Sequence, residues 1–126
     1  MRAITITGLD HVQIAAPPGC EAAARGFFGD LLGLPELEKA PALQSRGGIW
    51  FGCGGQALHV GVEDPFVPAR KAHPALRTTA DALDTLAARL ADAGHPVEWS
   101  DELPGIRRVY TVDPFGNRLE LLVAVP

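Results

Sequence analysis

His11, His59, His73 and Glu120 are the side chains of this sequence best suited to hold a metal ion, and they fall into two matched pairs. His59 follows His11 by 48 residues and Glu120 follows His73 by 47. Two imidazoles with a carboxylate are the donors of open catalytic zinc sites and of the facial triad of non-haem iron, and a third imidazole favours zinc, nickel or copper over magnesium. The donor types point to one divalent ion, zinc, nickel, iron or manganese, without choosing among them. A spacing repeated in this way suggests a single site shared by two copies of a module.

The repeat extends beyond these four residues. Gly33-Leu34-Pro35 lies 61 residues before Gly94-His95-Pro96, Gly55-Gln56-Ala57-Leu58-His59 lies 61 before Gly116-Asn117-Arg118-Leu119-Glu120, and His11 lies 62 before His73. A slip of one residue is the drift expected of an old duplication, and two copies are too few for a solenoid. The chain therefore reads as one pseudo-symmetric domain spanning 1–126. Module 1 covers about 5–64 and module 2 about 71–125, with the proline-marked stretch from Asp64 to Lys71 as the linker.

Length and composition fit that plan. The chain has 126 residues, and one of about 150 buries roughly 68–70% of its unfolded surface, so a real core is expected. With 47% hydrophobic residues, 21% charged and a net charge of −4, it carries no basic footprint for nucleic acid or an anionic membrane. Small-molecule or protein partners remain. No apolar run approaches the ~18 residues of a membrane span, and the stretch from Met1 to Thr7 is too short and polar for a signal peptide, so a cytoplasmic protein is expected. Cys20 and Cys53 have no ligand or disulfide spacing and read as reduced small hydrophobes.

The elements that must position the four residues follow from periodicity. Residues 8–16 alternate, with Val12 and Ile14 on one face and His11 and Gln13 on the other, as in a strand between two environments. From Cys20 to Leu32 the apolar residues form a helical stripe that Gly33 can end. A strand is expected somewhere from Leu37 to Leu43, interrupted by Pro41, then strands at 48–52 and 57–63 around the turn Cys53-Gly54-Gly55-Gln56. In the last of these, His59, Gly61 and Glu63 oppose Leu58, Val60 and Val62, so the polar face reads as a cavity lining. The second copy starts at 72–77 and continues into a helix capped by Thr79 or Asp81 and ending at Gly94, its stripe being Leu83, Leu86, Ala87 and Leu90. Strands follow at about 96–99, 107–112 and 118–124, the last two joined by the turn Asp113-Pro114-Phe115-Gly116-Asn117. Each half thus reads β-α-β-β-β, an α+β arrangement with the four residues on first and last strands.

On Leu9-Asp10-His11-Val12, Leu32-Gly33-Leu34-Pro35, Leu58-His59-Val60-Gly61 and Asp113-Pro114-x-Gly116-Asn117-x-x-Glu120, the chain resembles the vicinal oxygen chelate superfamily over nearly its whole length. That group includes glyoxalase I, extradiol dioxygenases, methylmalonyl-CoA epimerase, fosfomycin-resistance enzymes and bleomycin-binding proteins. The resemblance implies two tandem βαβββ modules in a curled mixed sheet around a metal-binding cup, often as a homodimer. It implies that His11, His73 and Glu120 ligate the ion. At His59 the chain departs, because glyoxalase I carries a glutamate there and dioxygenases often use no protein ligand; histidine keeps a fourth ligand chemically feasible. A small-molecule substrate would offer vicinal oxygens to a Lewis-acidic ion, with proton transfer beside a bound carbonyl as the generic reaction. The implied activity is that of a glyoxalase-like lyase or isomerase, with Glu120 also a catalytic proton shuttle. The alternatives are a metal-free protein that sequesters a drug or metabolite, as bleomycin-resistance members do, and an extradiol-type dioxygenase.

Further candidates surround these four. Gln13 shares the face of His11 and Glu63 that of His59, so both are candidates to line the ligand cavity, with Glu63 solvated at the strand end as its plainer reading. Trp50, Arg108 and Tyr110 are also candidate lining residues. Parity across their hairpins is not readable, so core packing for the aromatics and solvation for Arg108 stand as the default. His95, after a helix-ending glycine, is expected in solvent.

Overall fold

In a computed structural model, which describes residues 4–126, the two halves of the sequence fold alike. The first runs β1 (His11–Ala16), α1 (Glu21–Ala24, continued as a π-helix over Arg25–Leu31), β2 (Glu36–Leu37), β3 (Ile49–Cys53) and β4 (Gln56–Val62). The second runs β5 (Ala75–Arg77), α2 (Ala80–Asp92), β6 (Glu98–Ser100), β7 (Ile106–Val112) and β8 (Arg118–Ala124). Each half forms a four-stranded sheet, ordered β1-β4-β3-β2 and β5-β8-β7-β6. In both, the first strand lies parallel to the last and the others are antiparallel. The expected pair of βαβββ modules is the observed α+β fold.

Alternation along the strands decides which sheet face meets the helices. Ala16, Ile49, Phe51, Leu58 and Val60 of the first sheet and Val109, Leu119 and Leu121 of the second are buried in one apolar cluster with helix residues Ala24, Phe27, Phe28, Leu83 and Leu90. Residues one step along each strand point to the opposite, open face, since successive side chains alternate. The π-helix answers a local problem: Phe27 and Phe28 are adjacent in sequence, yet both are buried. Widening the coil, as in the Leu32 N–H bond to the Phe27 carbonyl at 3.0 Å, turns neighbours less far apart around the axis. Helix α2 is regular. Thr79, not Asp81, caps it by accepting a bond from the Ala82 N–H at 3.2 Å.

Two expected elements come out differently. Only Glu36–Leu37 pairs as a strand, and Pro41–Arg46 is a 3-10 helix, because Pro41 has no N–H for a ladder but suits the first turn of a helix. The connection returns to the sheet through Gly48, whose φ of +87° and closeness to the Val60 carbonyl leave no space for a side chain. Strand β6 lies at Glu98–Ser100 rather than at 96–99. No helix among the described residues is long and apolar enough to cross a membrane.

The turn between β7 and β8 ties the modules together. Buried Asp113 accepts bonds from the N–H groups of Phe115 and Asn117, both at 2.9 Å, and its other oxygen accepts from Asn117 Nδ2 at 2.9 Å. Asn117 Nδ2 also donates to the Ala15 carbonyl of β1 at 2.8 Å, and its Oδ1 accepts the Ala69 N–H of the linker at 2.9 Å. Burial pushes the Asp113 carboxyl above its ordinary range, against the lowering effect of these bonds. Replacing Asn117 with alanine strands the Ala15 carbonyl, the Ala69 N–H and one Asp113 oxygen. Urea unfolding of Asn117→Ala is expected to show a loss of roughly 2–4 kcal/mol at unchanged m-value.

Candidate metal centre

The open face of the first sheet carries a column of rings. Register pairs Trp50 with His59 and His59 with Gln13, so the three share this face, with His11 diagonal to His59. The His59 ring lies between the other two, its centroid 4.0 Å from Trp50 at an interplanar angle of 4° and 4.2 Å from His11 at 18°. Burial, and after it the charge on His11, pushes the His59 pKa below its ordinary value. Gln13 lies over Gly61, where an added Cβ would come within 2.9 Å of the Gln13 side chain.

The open face of the second sheet carries a polar network around Glu120. Register places Glu120 beside Tyr110, and Tyr110 beside Glu98. His73, two residues before β5, brings Nε2 to 3.0 Å from Glu120 Oε1, while Arg108 Nη1 lies 3.8 Å from Oε2. The Glu120 and Arg108 side chains are only 7% and 12% exposed, so the carboxylate meets protein groups rather than bulk water. Tyr110 is flanked by guanidinium groups, Arg118 at 4.1 Å from the ring centroid and Arg108 at 5.2 Å. Arg108 Nε also donates to Ser100 Oγ at 3.4 Å.

Hydrogen bonding fixes what the imidazoles of His11 and His73 can do. His73 Nδ1 donates to the Lys71 carbonyl at 2.9 Å, and His11 Nδ1 donates to Asp10 Oδ1 at 2.9 Å. In the neutral tautomer each Nε2 then carries a lone pair, the arrangement that outer hydrogen bonds impose on metal-binding histidines. For His73 that lone pair faces a carboxylate oxygen. Two acceptors 3.0 Å apart need a cation between them, a proton or a metal ion. The donor set thus fits a divalent ion.

The four predicted ligands are brought together as two pairs rather than as one group. Among the described residues no three His, Cys, Asp or Glu side chains gather closely enough to hold one ion. His11 and His73 nevertheless border the same cavity, of about 680 Å³, lying between the edge strands β1 and β5 and reached also by Gln13 and Glu63. Glu63 is exposed just beyond the end of β4. Trp50, Tyr110 and Arg108 all lie on open faces, contrary to the core and solvent positions that were their default. His95 is not solvated: its Nδ1 donates to the Val112 carbonyl at 3.0 Å and its ring meets Phe27 edge-on at 4.7 Å. Cys20 and Cys53 are free thiols, and burial, aided by Glu21, pushes the Cys20 pKa up to about 11. Sequence reasoning missed Ser100 and Arg118. Arg118 was within reach, because it precedes Glu120 by two residues on one strand and so shares its face.

No protein-family model matches the chain, and no curated relative does. Among solved structures, a glyoxalase family protein from Bacillus anthracis is 44% identical and superposes with a TM-score of 0.90, over 98% of this chain and 99% of that one. A lactoylglutathione lyase from Agrobacterium tumefaciens is 23% identical over 94% of each chain, with a TM-score of 0.71. A glyoxalase/dioxygenase from Nostoc punctiforme is 18% identical over 100% of this chain and 99% of its own, with a TM-score of 0.79. The latter two share the fold; the first is also a relative in sequence.

Arg108 and Glu120 form a buried pair whose members are costly to leave alone. Arg108→Met and Glu120→Gln are each expected to lower stability by about 2 kcal/mol, and the double variant by at least about 1 kcal/mol less than their sum. A double-mutant cycle from urea unfolding measures this; additivity would mean that the two side chains do not interact.

Proposed function

The chain belongs to the glyoxalase family of the vicinal oxygen chelate superfamily, and from that premise we propose that it is a divalent-metal-dependent lyase or isomerase. Its substrate is a small molecule with two neighbouring oxygens. The carrying observation is the pairing of His73 Nε2 with Glu120 Oε1 at 3.0 Å, with Nδ1 of the same ring tied to a backbone carbonyl. Outer bonds of this kind fix ring orientation and leave one nitrogen for the ion. His11, anchored by Asp10, supplies the matching imidazole from the first module. A divalent ion held by His11, His73 and Glu120 supplies a Lewis acid for the substrate oxygens.

The remaining roles belong to side chains of the open faces. Glu120 is the carboxylate that takes up and returns a proton, and Arg108, 3.8 Å from its Oε2, favours the ionised form that acts as base. Arg108 and Arg118, on either side of Tyr110, give the second sheet a cationic wall that orients an anionic or oxygen-rich part of the substrate. Gln13 offers an amide from the opposite sheet.

The working form in this reading is a homodimer. Among the described residues, His11 and the His73–Glu120 pair do not gather around one point, and the edge strands β1 and β5 each have no strand paired on one side. Leu9 and Val67, at the cavity between those edges, are exposed apolar side chains. A second copy covers them and brings His11 of one protomer toward the His73–Glu120 pair of the other.

Elemental analysis of protein purified without chelator, then reloaded with zinc, nickel, manganese or anaerobic iron, tests the reading. Stoichiometric binding is expected in the wild type and its loss in His73→Ala. The loaded protein should convert the hemithioacetal of methylglyoxal and glutathione without oxygen uptake, and Glu120→Gln should slow turnover by at least about 100-fold. Oxygen consumption with catechols would identify a dioxygenase instead. Failure to bind any of the ions would leave a metal-free binding protein.

A further inference from the structure

His59 occupies the position that repeats Glu120, yet its surroundings are those of a stacked ring. Glu120 meets His73 at the ring edge, with Oε1 3.0 Å from Nε2. His59 meets His11 face to face, with centroids 4.2 Å apart and planes within 18° of parallel. An ion bound by an imidazole lies close to the ring plane, about 2.0–2.1 Å from the nitrogen. Two nearly parallel planes separated by a ring thickness share no point that satisfies both nitrogens. In this arrangement His11 and His59 cannot hold the same ion.

Which of the two is available follows from their other contacts. His11 has its Nδ1 anchored by Asp10, leaving Nε2 to the cavity that His73 also borders. The ring nitrogens of His59 make no hydrogen bond among the described residues, and both faces of the ring are covered, by His11 and by Trp50 at 4.0 Å and 4°. Strand register fixes the gap that His59 fills, since it is directly opposite Trp50 on β3. Resting on the metal-dependent reading above, we propose that His59 is a positioning residue: with Trp50 behind it, it holds the His11 ring by stacking, and it contributes no fourth ligand. The two modules then use one repeated position differently, for a ligand in the second and for ring support in the first.

Titration calorimetry with Co²⁺ and Zn²⁺ and the visible spectrum of the Co²⁺ form test this, on wild type, His11→Ala, His59→Ala and His59→Phe. A flat ring without nitrogen keeps the stack, so His59→Phe is expected to stay within about threefold of wild-type affinity with an unchanged Co²⁺ spectrum, while His59→Ala weakens binding roughly 10-fold. If His59→Phe loses binding as His11→Ala does, or alters the Co²⁺ spectrum, His59 is a ligand and the proposal is overturned. A metal-free measurement separates this from failure of the metal reading. The His11 imidazole resonances should move in His59→Ala and much less in His59→Phe, whether or not the wild type binds an ion. His11 resonances unchanged by His59→Ala would overturn the stacking role itself.

Discussion

The side-chain amide of Asn117 is the contact on which the relation between the modules depends. It donates at once to its own turn, through Asp113, and to the Ala15 carbonyl of β1, and its oxygen takes the linker N–H of Ala69. The neighbouring Arg118 N–H closes on the Ala69 carbonyl at 2.8 Å. One buried side chain therefore sets the start of β8, the path of the linker and the position of β1 together. Glu120 lies two residues along β8 from Arg118, and His11 lies four before Ala15 on β1, so both halves of the candidate site hang from this clamp. A side-chain amide suits the role because it carries two donors and an acceptor in one plane, where a carboxylate has no donor and a hydroxyl only one.

With that frame fixed, strand parity distributes the chemistry. Apart from buried Thr111 of β7, the buried residues facing the helices are aliphatic or phenylalanine, and the same strands turn His11, Gln13, His59 and Trp50, or Tyr110, Arg108, Arg118 and Glu120, to the other side. Burial of the first set stabilises the sheet at roughly 25 cal/mol per Å² of apolar area removed from water, and no polar group on the second set is needed for that core. The open faces could therefore diverge after the duplication without loss of fold. They have: the first sheet presents flat rings, and the second presents carboxylate, guanidinium and phenol groups.

What could be read from sequence follows the same division. The repeat, the alternation in β1 and β4 and the stripe of α2 gave the module plan and the face shared by His11 and His59, because these depend on spacing along one strand or helix. The π-helix over Arg25–Leu31 was not legible, since it arises from the need to bury both Phe27 and Phe28 against a sheet known only after folding. Trp50, Tyr110 and Arg108 were read with the wrong default because parity crosses a hairpin only through its turn, and the turn before β4 and the loop before β7 leave register open. The failure at His95 has the same origin: its partners, Val112 and Phe27, come from other elements. The matched spacing of the two pairs was visible, but spacing does not tell an edge-on pair from a stacked one.

That distinction governs the electrostatics of the site. Between His73 and Glu120, two lone pairs 3.0 Å apart in a poorly hydrated setting repel unless a positive charge lies between them, and the interaction with a cation strengthens as water is excluded. Arg108, at 3.8 Å from the other carboxylate oxygen, offsets part of the buried negative charge. The second module is thus arranged to want a cation at one place. The first module, with rings stacked in a column and one carboxylate in solvent at Asp10, has no such buried carboxylate, and in the neutral tautomer of His11 it offers the Nε2 lone pair instead. The asymmetry distinguishes the two copies of the module: among the described residues, only the second pairs a buried carboxylate with an imidazole at the repeated positions.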